Sequence, residues 1–115
     1  MSLARRFSTT MAALVLGVLL AAGAQALQAT EIQLSYKDKK FTPAEVTVPA
    51  NTAFTIRVKN LDAKAMEFES KPLKIEKVIA ANSEAVVNVR AQKPGKYKFV
   101  DEYNEDVAIG NVIVK

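Results

Sequence analysis

Two short acidic runs carry the chemistry this sequence can offer. "MEFES" (Met66 to Ser70) supplies Glu67 and Glu69, and "DEYNED" (Asp101 to Asp106) supplies Asp101, Glu102, Glu105 and Asp106, together half of the 12 acidic residues. Carboxylate oxygens select hard or borderline cations, and a thioether such as that of Met66 would soften a site it joined. Along an extended chain Glu67 and Glu69 share one face, with Met66 and Phe68 on the other. Asp101 continues the inward row of Tyr97 and Phe99. A carboxylate ending an apolar row is costly unless it is paired, hydrogen-bonded or bound to a cation. From the residues alone two readings stand: the runs are parts of one metal site, or they cap turns and keep one end of the domain soluble.

Other chemistries lack their residues. The chain has no cysteine and no histidine, so it has neither Ser–His nor Cys–His pairs. Four glycines leave no room for a phosphate-cradling loop. Paired carboxylates can do acid–base work, but so small a domain offers little concavity for an organic substrate. A stand-alone enzyme is therefore not expected. The lysines are spread along the chain and interleaved with acids, which argues against a nucleic-acid partner.

The elements that must position the acids follow a leader. Arg5 and Arg6 precede an apolar stretch, Met11 to Ala22, and "AQA" (Ala24 to Ala26) is a small-x-small cleavage signal. Residues 1–26 read as a secretory signal peptide and residues 27–115 as one domain, soluble after cleavage. Removing Arg5 and Arg6 leaves 14 basic residues against 12 acidic ones, so much of the chain's basicity belongs to the leader. The domain shows no sustained helical period. Its short alternating runs are "EIQLSY" (Glu31 to Tyr36), "AEVTVP" (Ala44 to Pro49), "AFTIRVKN" (Ala53 to Asn60), "LKIEKV" (Leu73 to Val78), "EAVVNVRA" (Glu84 to Ala91), "KYKFV" (Lys96 to Val100) and "NVIVK" (Asn111 to Lys115). Asn51 suits a left-handed turn position, "KPG" (Lys93 to Gly95) reads as a turn with a positive φ at Gly95, and "NLDAKA" (Asn60 to Ala65) has room for a helical turn. The expected fold is all-β, a small antiparallel β-sandwich of seven or eight strands.

At "VPANTAFTIRVKN", "MEFE", "KPGKYKFVD" and "AIGNVIVK" the chain resembles a cupredoxin, over nearly all of Glu31 to Lys115. The resemblance implies a Greek-key sandwich. It places Met66 where the first copper-ligand histidine of that family stands, and Asp101 in the place of the cysteine. Asn104 or Glu105 stands near the second histidine, and Ala108 takes the place of the methionine. A blue-copper centre needs the thiolate and two imidazoles, so blue-copper electron transfer is excluded.

A narrower resemblance is to cupredoxin-like proteins of the periplasm that accompany bacterial high-affinity iron permeases, in which "MEFES"-type motifs occur at this position. It implies a metal site at Glu67, Glu69 and Asp101, with Met66 as a soft ligand, Glu102 as a further candidate and Glu76 after it. It implies iron or copper as the ion, and a periplasmic protein that delivers the ion to an inner-membrane iron permease or associated transport component, or helps oxidise ferrous iron for it. A homodimer sharing one metal between its acidic ends is compatible with the sequence. The rival expectation is a metal-free β-sandwich whose acidic end docks a membrane partner.

Overall fold

The computed structural model describes residues 30–115, and the leader read from the sequence lies outside them. Nine strands follow in order: β1 Thr30–Lys37, β2 Lys40–Thr42, β3 Glu45–Val48, β4 Phe54–Asn60, β5 Met66–Ser70, β6 Ile75–Ile79, β7 Glu84–Val89, β8 Gly95–Asp101 and β9 Ile109–Val114. A single 3₁₀ turn, Glu102–Asn104, separates β8 from β9. The strands form a four-stranded sheet, β2-β1-β4-β7, and a five-stranded sheet, β3-β9-β8-β5-β6.

The β-sandwich expectation holds, with two differences. There are nine strands rather than seven or eight, because the "KDKK" interruption is a hairpin turn and β2 follows it. Asp38 and Lys39 both take positive φ (50° and 62°), which matches the twist of a two-residue hairpin. The pairing is also not purely antiparallel: β1–β4 and β3–β9 are parallel. The chain passes between sheets at β2–β3, β3–β4, β4–β5, β6–β7 and β7–β8, so few sequential strands are neighbours. Alternation shows which side chains point inward, but not which strand lies alongside.

The inward rows meet in one core. Leu34, Tyr36, Ile56 and Val58 from the smaller sheet pack on Val48, Phe68, Phe99 and Val112 from the larger. At one end this core is aromatic, with Phe41 edge-on to Phe99 (ring centroids 4.9 Å apart at 89°) and Phe68 at 5.3 Å from Phe99. Turn readings divide. Asn51 is left-handed, at φ 57°. Gly95 does not take positive φ; it opens β8, where a Cβ would sit 3.3 Å from the Tyr97 ring. "NLDAKA" forms bends rather than a helix.

Gly110 matters for space. A Cβ there would come within 2.2 Å of Phe99 Cζ and 2.7 Å of the Ala44 carbonyl oxygen. Phe99 is fully buried and the second contact is backbone, so neither can yield cheaply. Gly110→Ala is expected to cost about 3 kcal/mol, the upper part of the usual range for overpacking. Urea unfolding monitored by circular dichroism would measure it, and a midpoint equal to wild type would contradict the packing described.

Candidate metal centre

β5 divides its side chains as alternation requires. Met66 and Phe68 enter the core (2 % and 0 % exposed), leaving Glu67 and Glu69 on the outer face of the larger sheet. β6 adds to that face. Its register sets Glu76 directly opposite Glu69 and Val78 opposite Glu67. On the other side of β5 the pairing Phe68↔Asp101 brings Glu102, one residue further on, level with Glu67. Carboxylate oxygens of Glu67, Glu76 and Glu102 consequently lie within 4.8 Å of one another. β5 is held against β8 by Ser70, whose hydroxyl donates to the Lys98 carbonyl (2.7 Å) and accepts from the Leu73 amide (3.3 Å).

The electrostatics of this cluster are those of crowded acids. A hydrogen bond shared with Glu102 raises the Glu67 carboxyl most, followed by partial desolvation and the neighbouring Glu76, and together they push it up to about 7. Glu69 is raised as well, by desolvation first and then by Glu102, while Lys71 opposes the shift. Among the described residues the ion pairs are those of Arg57 with Glu31 and Glu84, on the other sheet, so no basic side chain neutralises Glu67, Glu76 or Glu102. Three close carboxylates without a basic partner favour holding a proton or a cation.

Asp101 belongs elsewhere. It points between the sheets, is 1 % exposed, and has four donors around it. Its Oδ1 accepts the amides of Glu67 (3.0 Å) and Tyr103 (3.2 Å). Its Oδ2 accepts the Tyr36 hydroxyl and the Asn104 side-chain amide, the latter at 2.9 Å. Burial alone would raise this carboxyl, but the bonds from Tyr36, Asn104 and the two amides outweigh it and hold it below the ordinary range. Tyr36 shifts the opposite way, raised by burial and by the carboxylate it faces. The cost of a carboxylate ending an apolar row is thus met by hydrogen bonds.

The sequence-derived set therefore separates. Glu67, Glu69 and Glu102 share the outer face, and Glu76, ranked last by sequence, stands among them. Asp101 and Met66 lie inside, where Met66, Asp101, Asn104 and Tyr36 line one depression at the end of the sandwich. Two supporting residues escaped the sequence reading. Tyr36 ends the inward row of Ile32 and Leu34, and a buried phenol there signals a polar partner. Buried Asn60 donates its side-chain amide to the Lys64, Ile79 and Ala80 carbonyls and accepts the Asp62 amide, which fixes the connection leading into β5.

A family model described as "Cupredoxin-like domain" matches residues 10–114. The chain is 34 % identical, over 84 residues, to an uncharacterized protein of Rickettsia prowazekii (strain Madrid E), covering 73 % of this chain and 67 % of that protein. Among solved structures it is similar to the metal-binding domain of the Cu(I)-exporting P-type ATPase CopA of Streptococcus pneumoniae D39 with Cu(I) (TM-score 0.65, 16 % identity, 74 % of this chain and 84 % of that one). It is also similar to auracyanin A, a "blue" copper protein of Chloroflexus aurantiacus (TM-score 0.62, 16 % identity, 76 % and 100 %). At such identities the structures establish a shared fold. The residues here do not fit a blue-copper centre: the chain contains no thiol or imidazole, and all four hydrogen bonds to Asp101 come from within the protein.

Proposed function

The chain belongs to the cupredoxin-like domain family, and from that membership we propose that it is an exported metal-binding domain. It holds one iron ion on the outer face of its larger sheet and passes the ion to an inner-membrane iron permease or helps oxidise it there. The observation that carries this reading is the convergence of Glu67, Glu76 and Glu102 within 4.8 Å, with Glu69 opposite Glu76 in register. An all-oxygen set suits Fe(III) better than Fe(II), and either better than Cu(I). Met66, the one candidate soft ligand, faces inward and leaves copper without its preferred donor at this site. Copper proteins among the structural neighbours support a metal role for the fold, with its donors changed here.

A second reading is favoured by Asp101. In its buried position four hydrogen bonds take the place that metal bonds would take, as in a sandwich that has given up metal and serves as a docking module. Titration of the purified protein with Fe(II), Fe(III), Cu(I) and Cu(II) separates the two. The metal reading expects one iron per chain, with affinity falling by at least about 100-fold in Glu67→Gln/Glu102→Gln, since even loss of a residue that only orients a ligand costs 10- to 100-fold. Asp101→Asn should leave affinity unchanged wherever the protein remains folded. Absence of iron binding by wild type would favour the docking module, and unchanged affinity in the double variant would remove the proposed site.

A further inference from the structure

Beside the carboxylate cluster, charges of both signs line one cleft without meeting. The cleft, of about 320 Å³, is bounded by Glu69, Lys71, Lys98, Glu105 and Asp106, with Val100 as an apolar surface. Each wall has a local cause. Lys98 and Val100 leave β8 on the outer side, opposite to buried Phe99, and the register sets Val100 against Glu69. Lys71 follows Ser70, whose hydroxyl is tied to the Lys98 carbonyl (2.7 Å). Glu105 and Asp106 follow the 3₁₀ turn, in a loop closed by the Val107 and Ala108 amides donating to the Asn104 carbonyl (3.1 and 2.9 Å). Glu69 is the buried member, at 9 % exposure, and its carboxylate opens on this cleft. Within hydrogen-bonding reach it has the Glu102 carboxyl, an acceptor like itself unless one of the two carries a proton. Among the described residues neither Lys71 nor Lys98 is within ion-pair distance of an acid.

Resting on the iron reading above, we propose that the cleft takes the ion as the complex of a small carboxylate chelator. The metal turns toward Glu69 and the neighbouring cluster, and the chelator's outer carboxylates turn toward Lys71 and Lys98. A ligand of one sign fits this lining poorly. Two lysines oppose a bare cation, while Glu69, Glu105 and Asp106 oppose a free polycarboxylate. A metal carboxylate complex carries both signs on one small body. An amino acid carries both as well, but it leaves the adjoining cluster without a role. Glu69 borders cleft and cluster together, standing opposite Glu76 in register and within reach of Glu102. One oxygen each from Glu67, Glu76 and Glu102 leaves a hard cation short of the roughly six oxygen ligands it takes. The chelator's own oxygens fill that remainder. Ligand pockets run from about 300 to 1,000 Å³, and a cleft at the lower end suits so small an occupant.

Equilibrium dialysis of the full chain against ferric citrate, labelled in both metal and chelator, tests the assignment. Wild type should accumulate iron and citrate in equal amounts, and little citrate when iron is left out. Lys71→Ala/Lys98→Ala should lower citrate retention about tenfold, the combined effect of two exposed charge contacts. Lys71→Arg/Lys98→Arg keeps both charges and should retain citrate. Lys39→Ala/Lys64→Ala makes the same change in net charge outside the cleft and should retain it too. All four lysines are exposed, and matching melting curves would show the variants folded. Iron accumulating without citrate would overturn the chelate and leave the iron centre standing, whereas accumulation of neither would remove both. Equal citrate retention with and without iron would also overturn the proposal. So would full retention by the Lys71→Ala/Lys98→Ala variant, or equal loss in the two alanine variants, which would reduce the effect to net charge.

Discussion

Replacing Asp101 by alanine is expected to lower the thermal midpoint by on the order of 20 °C. The substitution strands the Tyr36 hydroxyl, the Glu67 and Tyr103 amides and the Asn104 side-chain amide, all now directed at one carboxylate. A buried donor left without a partner costs about 1 to 3 kcal/mol. With part of that recovered by water near Tyr103 and Asn104, a net loss of about 4 kcal/mol follows, and each kcal/mol moves the midpoint of a domain this size by about 4 to 8 °C. Tyr36→Phe removes one donor and should cost about 1 kcal/mol. Combined with Asp101→Asn the losses should fall short of additive, because both variants break the same bond. A metal ligand at Asp101 would behave otherwise, with stability little changed in apo protein and affinity lost.

The same carboxylate shapes the acid limb. Its folded pKa is depressed, so its contribution is fully present above the unfolded value of about 4 and is lost as pH falls through the lower folded value. Below about pH 4, stability should therefore fall more steeply with falling pH in wild type than in Asp101→Asn. Parallel curves would show that the carboxylate charge contributes nothing.

Alternation was enough to place Phe54, Ile56 and Val58 in the core, Glu67 and Glu69 outside it, and Asp101 inside. Each of these placements depends only on which way successive side chains point. Glu76 depends on more. It faces Glu69 because the β5–β6 turn sets the register, and that turn uses a left-handed Lys74 (φ 58°), a residue that carries no turn signal of its own. β6 is an edge strand with Glu76, Lys77 and Val78 all exposed, so no buried row marked its faces. Grouping Asp101 with Glu67 failed for a related reason: proximity to one end of a sheet does not say which side of the sheet a side chain leaves from. The Pro-Gly pair misled because Gly95 serves the space beside Tyr97 rather than a positive φ.

Iron affinity should fall about tenfold for each pH unit below neutrality, and Glu67→Gln should change both that slope and the stability of the metal-free protein. Crowding by Glu102 and Glu76 raises the Glu67 carboxyl to about 7, so below that pH the metal-free site holds a proton that a cation must displace. One proton released per ion bound gives the tenfold dependence, and affinity should level off above pH 7. Fe(II) under anaerobic conditions is the practical probe, with proton release read in a weakly buffered titration. In the absence of metal the sign reverses for stability. A carboxyl whose folded pKa is raised favours the fold while protonated, and that advantage disappears as pH rises from the unfolded value of about 4.3 through 7. Metal-free wild type should accordingly become less stable between pH 5 and 8, whereas Glu67→Gln, which cannot ionise, should hold its stability over that range while binding iron poorly. A site kept for its cation predicts this opposition between folding and binding at a single residue. If Glu67→Gln were no more resistant to alkaline pH than wild type, the three carboxylates would not be in mutual contact, and the metal centre built from them would have no basis.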